Sequence, residues 1–537
     1  MTAPALTLPA RPGAAVTGLA VRQIRRGGAI VLLLAAGMPA LVTATYDGLT
    51  ADPAAAAGLT RIAANPAIRT LFGTPIALDH AGGFTVWRIG TVLTVILTVW
   101  ATLTTTRVLR GEEEAGRWSL LLAGRSTPRA VFLQHLAVIA AVPVTAGIAV
   151  TAALWTAGPD LAGAIVHGAG VTAAGLFAVA VAALSAQIFP ARAPATGTAI
   201  AVLGAGLLLR MIGDGLTALG WLHWLSPFGL LALSSPYGRD DPLPLLLLTA
   251  AALAIAAAAL AAVGRRDLGG GLTAPAAGRA PRRWLLGGPA AFAVRRAIGP
   301  VLAWTAGIGA YFLLIGLTAR SVTEFLTGNA VFADAAAQAG FAGMHTVEGF
   351  TASLFALLAL PAGAFTAVRI GAFAAAETDR RLTPLAAAPL TRTRLLAAET
   401  AATTGGALIL LTVAALATWA GVTAVGGGLT LPAALAGTFN TLPIVALSLG
   451  AAVLALGGAP RVTVLAGTLP ATGGFLLQVL ADATGAPTWV RELSPFPHLA
   501  PVPLTGVAWP AAVTMTSIAV ALAVAGTLAY HRRDLRS

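Results

Sequence analysis

The sequence predicts an all-α polytopic membrane protein of about twelve transmembrane helices, arranged as two parallel six-helix repeats. Three observations carry this. The chain of 537 residues is 57% hydrophobic and only 10% charged, with a mean hydropathy of +0.84, whereas a soluble protein carries about 25% charged residues. Apolar runs of about 20 residues recur, each long enough to cross a ~30 Å hydrocarbon core as a helix. The runs are unbroken, which excludes the alternating pattern of a membrane barrel. Finally, short motifs return in the same order at nearly one spacing, as duplication requires.

The repeat is read from offsets. Gly83-Phe84-Thr85 returns as Gly349-Phe350-Thr351, 266 residues on (349 − 83). Ser226-Pro227-Phe228 returns as Ser494-Pro495-Phe496 after 268, Arg265-Arg266-Asp267-Leu268 as Arg532-Arg533-Asp534-Leu535 after 267, and Ala20-Val21-Arg22 as Ala293-Val294-Arg295 after 273. The charged stretch Arg107 to Arg129 has its echo between Arg369 and Arg394; setting Glu114 over Glu377 (offset 263) pairs Arg117 with Arg380 and Arg129 with Arg392. The expected domains are a first six-span half over 1–268, a cytoplasmic linker over 269–289 and a second half over 290–537. An even number of spans per half makes the repeats parallel, with a pathway between them.

Composition also excludes. All 33 cations are arginine, so the lysine of a Walker A loop is missing. No cysteine is present, which removes disulfides and thiolate metal sites. No histidine precedes a glutamate, so there is no HExxH zinc motif, and no metal ligands or catalytic set stand out. The net charge of +13 would suggest nucleic acid on a soluble chain. Here the arginines gather at the ends of apolar runs, where membrane topology explains them, and no nucleic-acid partner is expected.

In chain order, a Pro/Ala-rich tail (1–15) leads to Arg22, Arg25 and Arg26, which suit a short interfacial helix on the cytoplasmic face; Arg295 and Arg296 repeat them. The first apolar run begins only near Ala29, late for a cleaved signal peptide, and reads as a retained span over 29–45. A polar stretch, 47–80, lies outside. Spans follow at 84–106, 130–157, 161–188, 195–212 and 242–263. Trp221 and Trp224, just before the last of these, suit a membrane interface. The Gly/Pro/Arg-rich segment 269–289 reads as a cytoplasmic linker. The second half places spans at 301–317, 349–368, 395–419, 432–456, 462–480 and 513–530. Both termini are expected on the cytoplasmic side.

The segment after the second span is the most informative. Glu112, Glu113 and Glu114 precede arginines and the apolar Leu120 to Leu122, an order that suits the helix dipole and a helix that docks on a partner. A solvated loop with topogenic arginines is the plainer reading, but recurrence in the other half argues against it. Within the spans, His167 and Arg210 are candidates for a substrate path, since intramembrane ionisable groups are functional by default. Equally, Arg210 with Asp214 forms an i, i+4 pair that satisfies itself.

The pattern R-x-E-E-E-A-G-R-x-x-L-L-L-A at Arg110 to Ala123, with Asn65-Pro66, GGFTVWR at Gly82 to Arg88, Ser226-Pro227-Phe228 and RRDLGGG at Arg265 to Gly271, resembles the actinobacterial ABC permeases of the polyketide-antibiotic (tetronasin-type) exporter group. The resemblance covers essentially the whole chain, read as two fused type-2 exporter halves. It implies an ATP-driven exporter of antibiotics or other amphipathic, lipophilic small molecules, with ATP and Mg bound on a separate ABC ATPase, in two copies, and no cofactor in this chain. It further implies that Glu112, Glu113, Glu114, Gly116 and Arg117 couple to that ATPase. In the second copy Glu377, Asp379 and Arg380 stand at the matching places; the triple glutamate is reduced to one and Asp379 replaces the glycine, so the two docking sites are unequal. An ion-coupled multidrug transporter is the alternative, but it needs carboxylates buried mid-span, and the acids here sit at the ends of the expected spans. A membrane enzyme would need convergent polar groups outside, and Asp47 with Asp79-His80 forms no recognisable set.

Overall fold

The computed structural model describes residues 12–46, 63, 66–156, 158, 160–273, 284–328, 343–378, 382, 390–483 and 486–533. Among them the regular structure is entirely helical. The chain divides into two compact units, Met1–Arg279 and Ala280–Ser537. Eleven described helices are long and apolar enough to cross a membrane.

The first unit holds six of them: Gly13–Ala44, Ala81–Glu114, Pro128–Trp155, Leu161–Ile188, Arg192–Gly215 and Leu243–Val263. The fourth is the centre of the unit. It packs against the second, third, fifth and sixth spans, and most of its residues are buried. Small residues make this possible, because lipid gives helices no hydrophobic reason to associate and close backbone approach supplies the attraction. At the crossing with the third span, a Cβ on Gly168 would lie 2.6 Å from the Gly147 carbonyl, and one on Gly147 would lie 2.4 Å from that of Gly168. Thr151 Oγ1 adds a bond to the Ala164 carbonyl (3.2 Å). Outward, Leu33, Leu41, Leu246 and Leu253 are exposed, as lipid-facing residues are.

The second unit holds Pro289–Thr327, Val347–Thr378, Arg392–Ala424, Leu431–Gly458 and Trp509–Arg532. Its tightest pairs are the first with the third of these and the fourth with the last. In the latter pair a Cβ on Gly450 would sit 2.4 Å from the Ala519 carbonyl. The segment expected as a span over 462–480 is helical but interrupted. Pro470 lies in a π turn, Leu469–Gly473, between the helices Thr463–Thr468 and Gly474–Ala483. Proline lacks the N–H that an α-helix would use, so the ladder widens there.

The first helix differs from the sequence expectation. Arg22, Arg25 and Arg26 do not form a separate interfacial helix; they ride on one helix, Pro12–Ala44, that runs on into the apolar run. Gly27 and Gly28 do not break it, because both are packed: a Cβ on Gly27 would lie 2.7 Å from Trp100 Nε1, and one on Gly28 would touch Val142. Arg295 and Arg296 likewise sit in the opening turns of the continuous helix Pro289–Thr327.

Candidate functional site

The helix of the second span does not stop where its apolar run stops. It continues through a π turn, Arg107–Gly111, into Glu112–Glu114. This carries Arg110 and Glu113 into the interior, where Arg110 is 0% exposed. Glu113 is the hub. Arg266 grips it as a fork, Nη1 to Oε1 at 2.5 Å and Nη2 to Oε2 at 2.7 Å, the bidentate geometry that suits guanidinium and carboxylate. The Gly269 amide donates to Oε1 (2.8 Å), and Arg110 Nη1 lies 3.0 Å from Oε2. Excess positive charge is answered by neutral acceptors: Arg110 donates to the Gly270 carbonyl (2.5 Å) and Arg266 Nε to Gln187 Oε1 (2.8 Å). The first RRDLGG motif is therefore the clamp that ties the end of the sixth span to the end of the second.

The other two glutamates face outward. Glu112 pairs with Arg117 (2.5 and 2.7 Å). Glu114 accepts from the Arg192 amide (3.0 Å), at the N-terminus of the fifth span, where a helix favours negative charge. Gly116 then turns the chain in the left-handed region (φ +73°), a conformation costly for residues with a Cβ. The short helix Arg117–Leu122 leaves from this turn. Its Trp118 is buried and stacked on His135 (6.1 Å), while Leu120 is 76% exposed. Beside it opens a cleft of about 280 Å³ lined by Gln23, Glu112, Arg117, Trp118 and His135.

The second unit repeats the clamp with other numbers. Glu377 is bonded by Arg533, the second arginine of the other RRDL, which also donates to the Leu456 carbonyl (2.6 Å). Arg392 Nη1 donates to the Arg533 carbonyl (2.9 Å), and in the first unit the matching Arg129 lies beside Gly264, where a Cβ would meet it at 2.5 Å. The recurring partner shifts the alignment by one: Glu377 corresponds in its bonding to Glu113 rather than Glu114. Asp379 and Arg380 lie outside the described residues. Arg295 donates to the Trp284 carbonyl (2.9 Å). Arg296 joins a buried cluster with Glu399 (3.6 Å) and Arg369, which bonds the same carboxylate.

At the opposite end of the first unit, the structure brings His167 and Arg210 to one cavity of about 280 Å³. Arg210 is a strut. Its Nε lies 2.6 Å from Asp214 Oδ2, Nη1 donates to Thr91 Oγ1 (2.7 Å) and Nη2 to the Phe72 carbonyl (3.0 Å). Gly73 makes room for it with a left-handed φ of +100°, and a Cβ there would fall 2.0 Å from Nη2. His223 completes the network from the 3-10 segment Thr217–Leu225. Its Nε2 lies 3.0 Å from Asp214 Oδ1 and its Nδ1 2.7 Å from the Gly220 carbonyl. Both ring nitrogens face acceptors, which suits the imidazolium, a donor at both. The Asp214 hydrogen bond accordingly raises the His223 pKa above its ordinary value, against the opposing effect of burial. His167 is also buried, and among the described residues its Nδ1 has no hydrogen-bond partner.

A bundle of this kind is common to many membrane proteins, and comparison with known sequences narrows it. The family model for the C-terminal domain of the multidrug efflux system permease Rv1217c matches residues 14–263 and 286–531. The chain belongs to this permease family. The multidrug efflux system permease protein Rv1217c of Mycobacterium tuberculosis is 31% identical to it over 517 residues, which cover 94% of this chain and 92% of the relative. The permease is thus a multi-pass membrane protein.

In the sequence the RRDL tetrapeptides mark the duplication, and nothing local to them shows that their second arginines answer Glu113 and Glu377. The partners stand 153 and 156 residues apart, beyond the reach of any local pattern. Their signal was the recurrence of an arginine pair and of a glutamate at nearly the same offset. His223 and Glu399 carried no such signal.

Proposed function

We propose that the permease is the transmembrane subunit of an ATP-driven ABC exporter, with the arginine-rich ends of both units on the cytoplasmic side of a bacterial plasma membrane. The observation that carries this is the helix Arg117–Leu122: it projects the exposed Leu120 beside a cleft, from a base that Glu113 fixes to the sixth span. An apolar anchor on a rigid base is what a partner's groove grips. The partner is a separate ATPase, one copy to each half, which holds ATP and Mg. Its closure would load the helix Arg117–Leu122, and the Glu113–Arg266 clamp would make the second and sixth spans move together. In the second unit Glu377 and Arg533 would link Val347–Thr378 to Trp509–Arg532 in the same way. The resemblance to tetronasin-type exporters points to antibiotics or other amphipathic compounds as cargo.

The buried carboxylates Glu113, Asp214 and Glu399 would attract an ion-coupled reading, but each is held by arginine. The test is affinity capture of the tagged chain in mild detergent. A stoichiometric P-loop ATPase is expected with the native chain. Leu120→Glu should lose most of it while the protein still reaches the membrane. Capture of the ATPase undiminished by Leu120→Glu places docking elsewhere; a permease that never retains an ATPase refutes the exporter reading.

A further inference from the structure

The cavity in the first unit contains polar groups that its own packing does not use. Its ion network is closed: Arg210 spends its donors on Asp214, Thr91 and Phe72, and Asp214 also receives His223 and Thr74 Oγ1 (3.3 Å). Two groups on the lining are left over. His167 presents a buried Nδ1 without a partner among the described residues. Arg239 is exposed, and no described side chain or carbonyl answers its guanidinium. A buried polar atom without a bond is costly, which asks for a ligand atom beside His167. The charge of the lining points to that ligand's sign. With His223 as imidazolium, three cations stand against one carboxylate. The remaining wall is apolar, formed by Phe72, Ile76, Val86, Phe228 and Leu231. A few placed polar groups in an apolar concavity are the usual make-up of a small-molecule site.

We propose that this cavity binds an amphipathic monoanion, its charged group held between Arg239 and His167 Nδ1–H and its apolar body laid against Phe72, Val86 and Leu231. As a station for export cargo the site rests on the efflux reading; as a binding site it does not, and the test reads binding alone. Unit 2 has no arginine at the place that matches Arg210. The contact of Gly206 with Ser226-Pro227 recurs as Gly474 with Ser494-Pro495, and that register puts Gln478 where the first unit has Arg210.

The probe is dansylamino-undecanoic acid, compared with its methyl ester, on the full chain in phosphatidylcholine nanodiscs, with empty nanodiscs subtracted. The acid should bind saturably and the ester about tenfold more weakly, the loss expected for one charge-assisted hydrogen bond. Arg239→Gln should weaken the acid by a similar factor and leave the ester unchanged. Val86→Phe, which fills the cavity, should abolish both while the protein stays monodisperse. Competition by added phosphatidylglycerol identifies the anion as a membrane lipid, and its absence identifies a free amphiphile; both are the proposed chemistry. Equal binding of acid and ester, or acid binding untouched by Arg239→Gln in a monodisperse protein, overturns the site. Binding as expected without ATP-dependent transport sinks the ATP-driven reading and leaves the site standing.

Discussion

A guanidinium with no access to water must be answered by charge, and at the arginine-rich end of the first unit that answer is Glu113. Three neighbouring glutamates look equivalent in the sequence, yet they differ in what surrounds them. Glu113 is buried under two arginines, Glu112 pairs with an exposed one, and Glu114 caps a helix. Glu113→Ala leaves two buried cations without a counter-ion, a loss of about 3–5 kcal/mol. Glu114→Ala forfeits a helix-terminus interaction of about 1 kcal/mol. Unfolding in detergent should separate the two variants clearly; equal midpoints would show that Glu113 is not the hub. The glutamates and arginines were legible as a charged cluster. Which glutamate faces inward was not, because that depends on the π turn Arg107–Gly111, which shifts every later residue around the helix.

At the scale of elements, apolar runs located the spans because lipid imposes their length. Their ends were legible only roughly. The helix Pro289–Thr327 begins well before the run that starts at 301, since arginines extend a helix as readily as they follow one. The connecting segments were the least legible. The 3-10 segment Thr217–Leu225 reads as an interfacial strip marked by Trp221 and Trp224, and both are exposed. Its inward residue, His223, makes the segment sensitive to pH. His223 gains its acceptors on folding, and its native pKa is raised. Its contribution is complete below the unfolded value, about 6.5, and is lost as the pH rises through the native one. The thermal midpoint of native protein should therefore exceed that of His223→Gln more at about pH 6 than at about pH 9. A gap that widens with pH contradicts the imidazolium assignment.

For the whole molecule, the membrane class followed from composition, because a chain this poor in charge cannot keep a water-facing surface, and the unbroken apolar runs made it helical. The eleventh expected span was less regular than its apolar content suggested, for the reason Pro470 supplies. The functional reading makes one demand on the intact protein. Efflux of a fluorescent amphipathic dye from cells carrying the permease and its ATPase should survive an uncoupler applied while ATP is held constant, and should stop when ATP is depleted. Efflux that fails with the proton gradient alone returns the ion-coupled transporter.

The clamp has a consequence for how the chain is made. Arg110 and Glu113 leave the ribosome together, but Arg266 follows 153 residues after Glu113, roughly 8–30 s at ordinary rates of synthesis. During that interval Arg110 has a local partner and Glu113 is half-answered. Only when the sixth span has been inserted does the second guanidinium arrive and lock the end of the second. The same wait recurs between Glu377 and Arg533. Each half of the permease is thus sealed by its last helix: in a chain truncated before it, Glu113 keeps Arg110 but lacks the fork of Arg266 and the Gly269 amide.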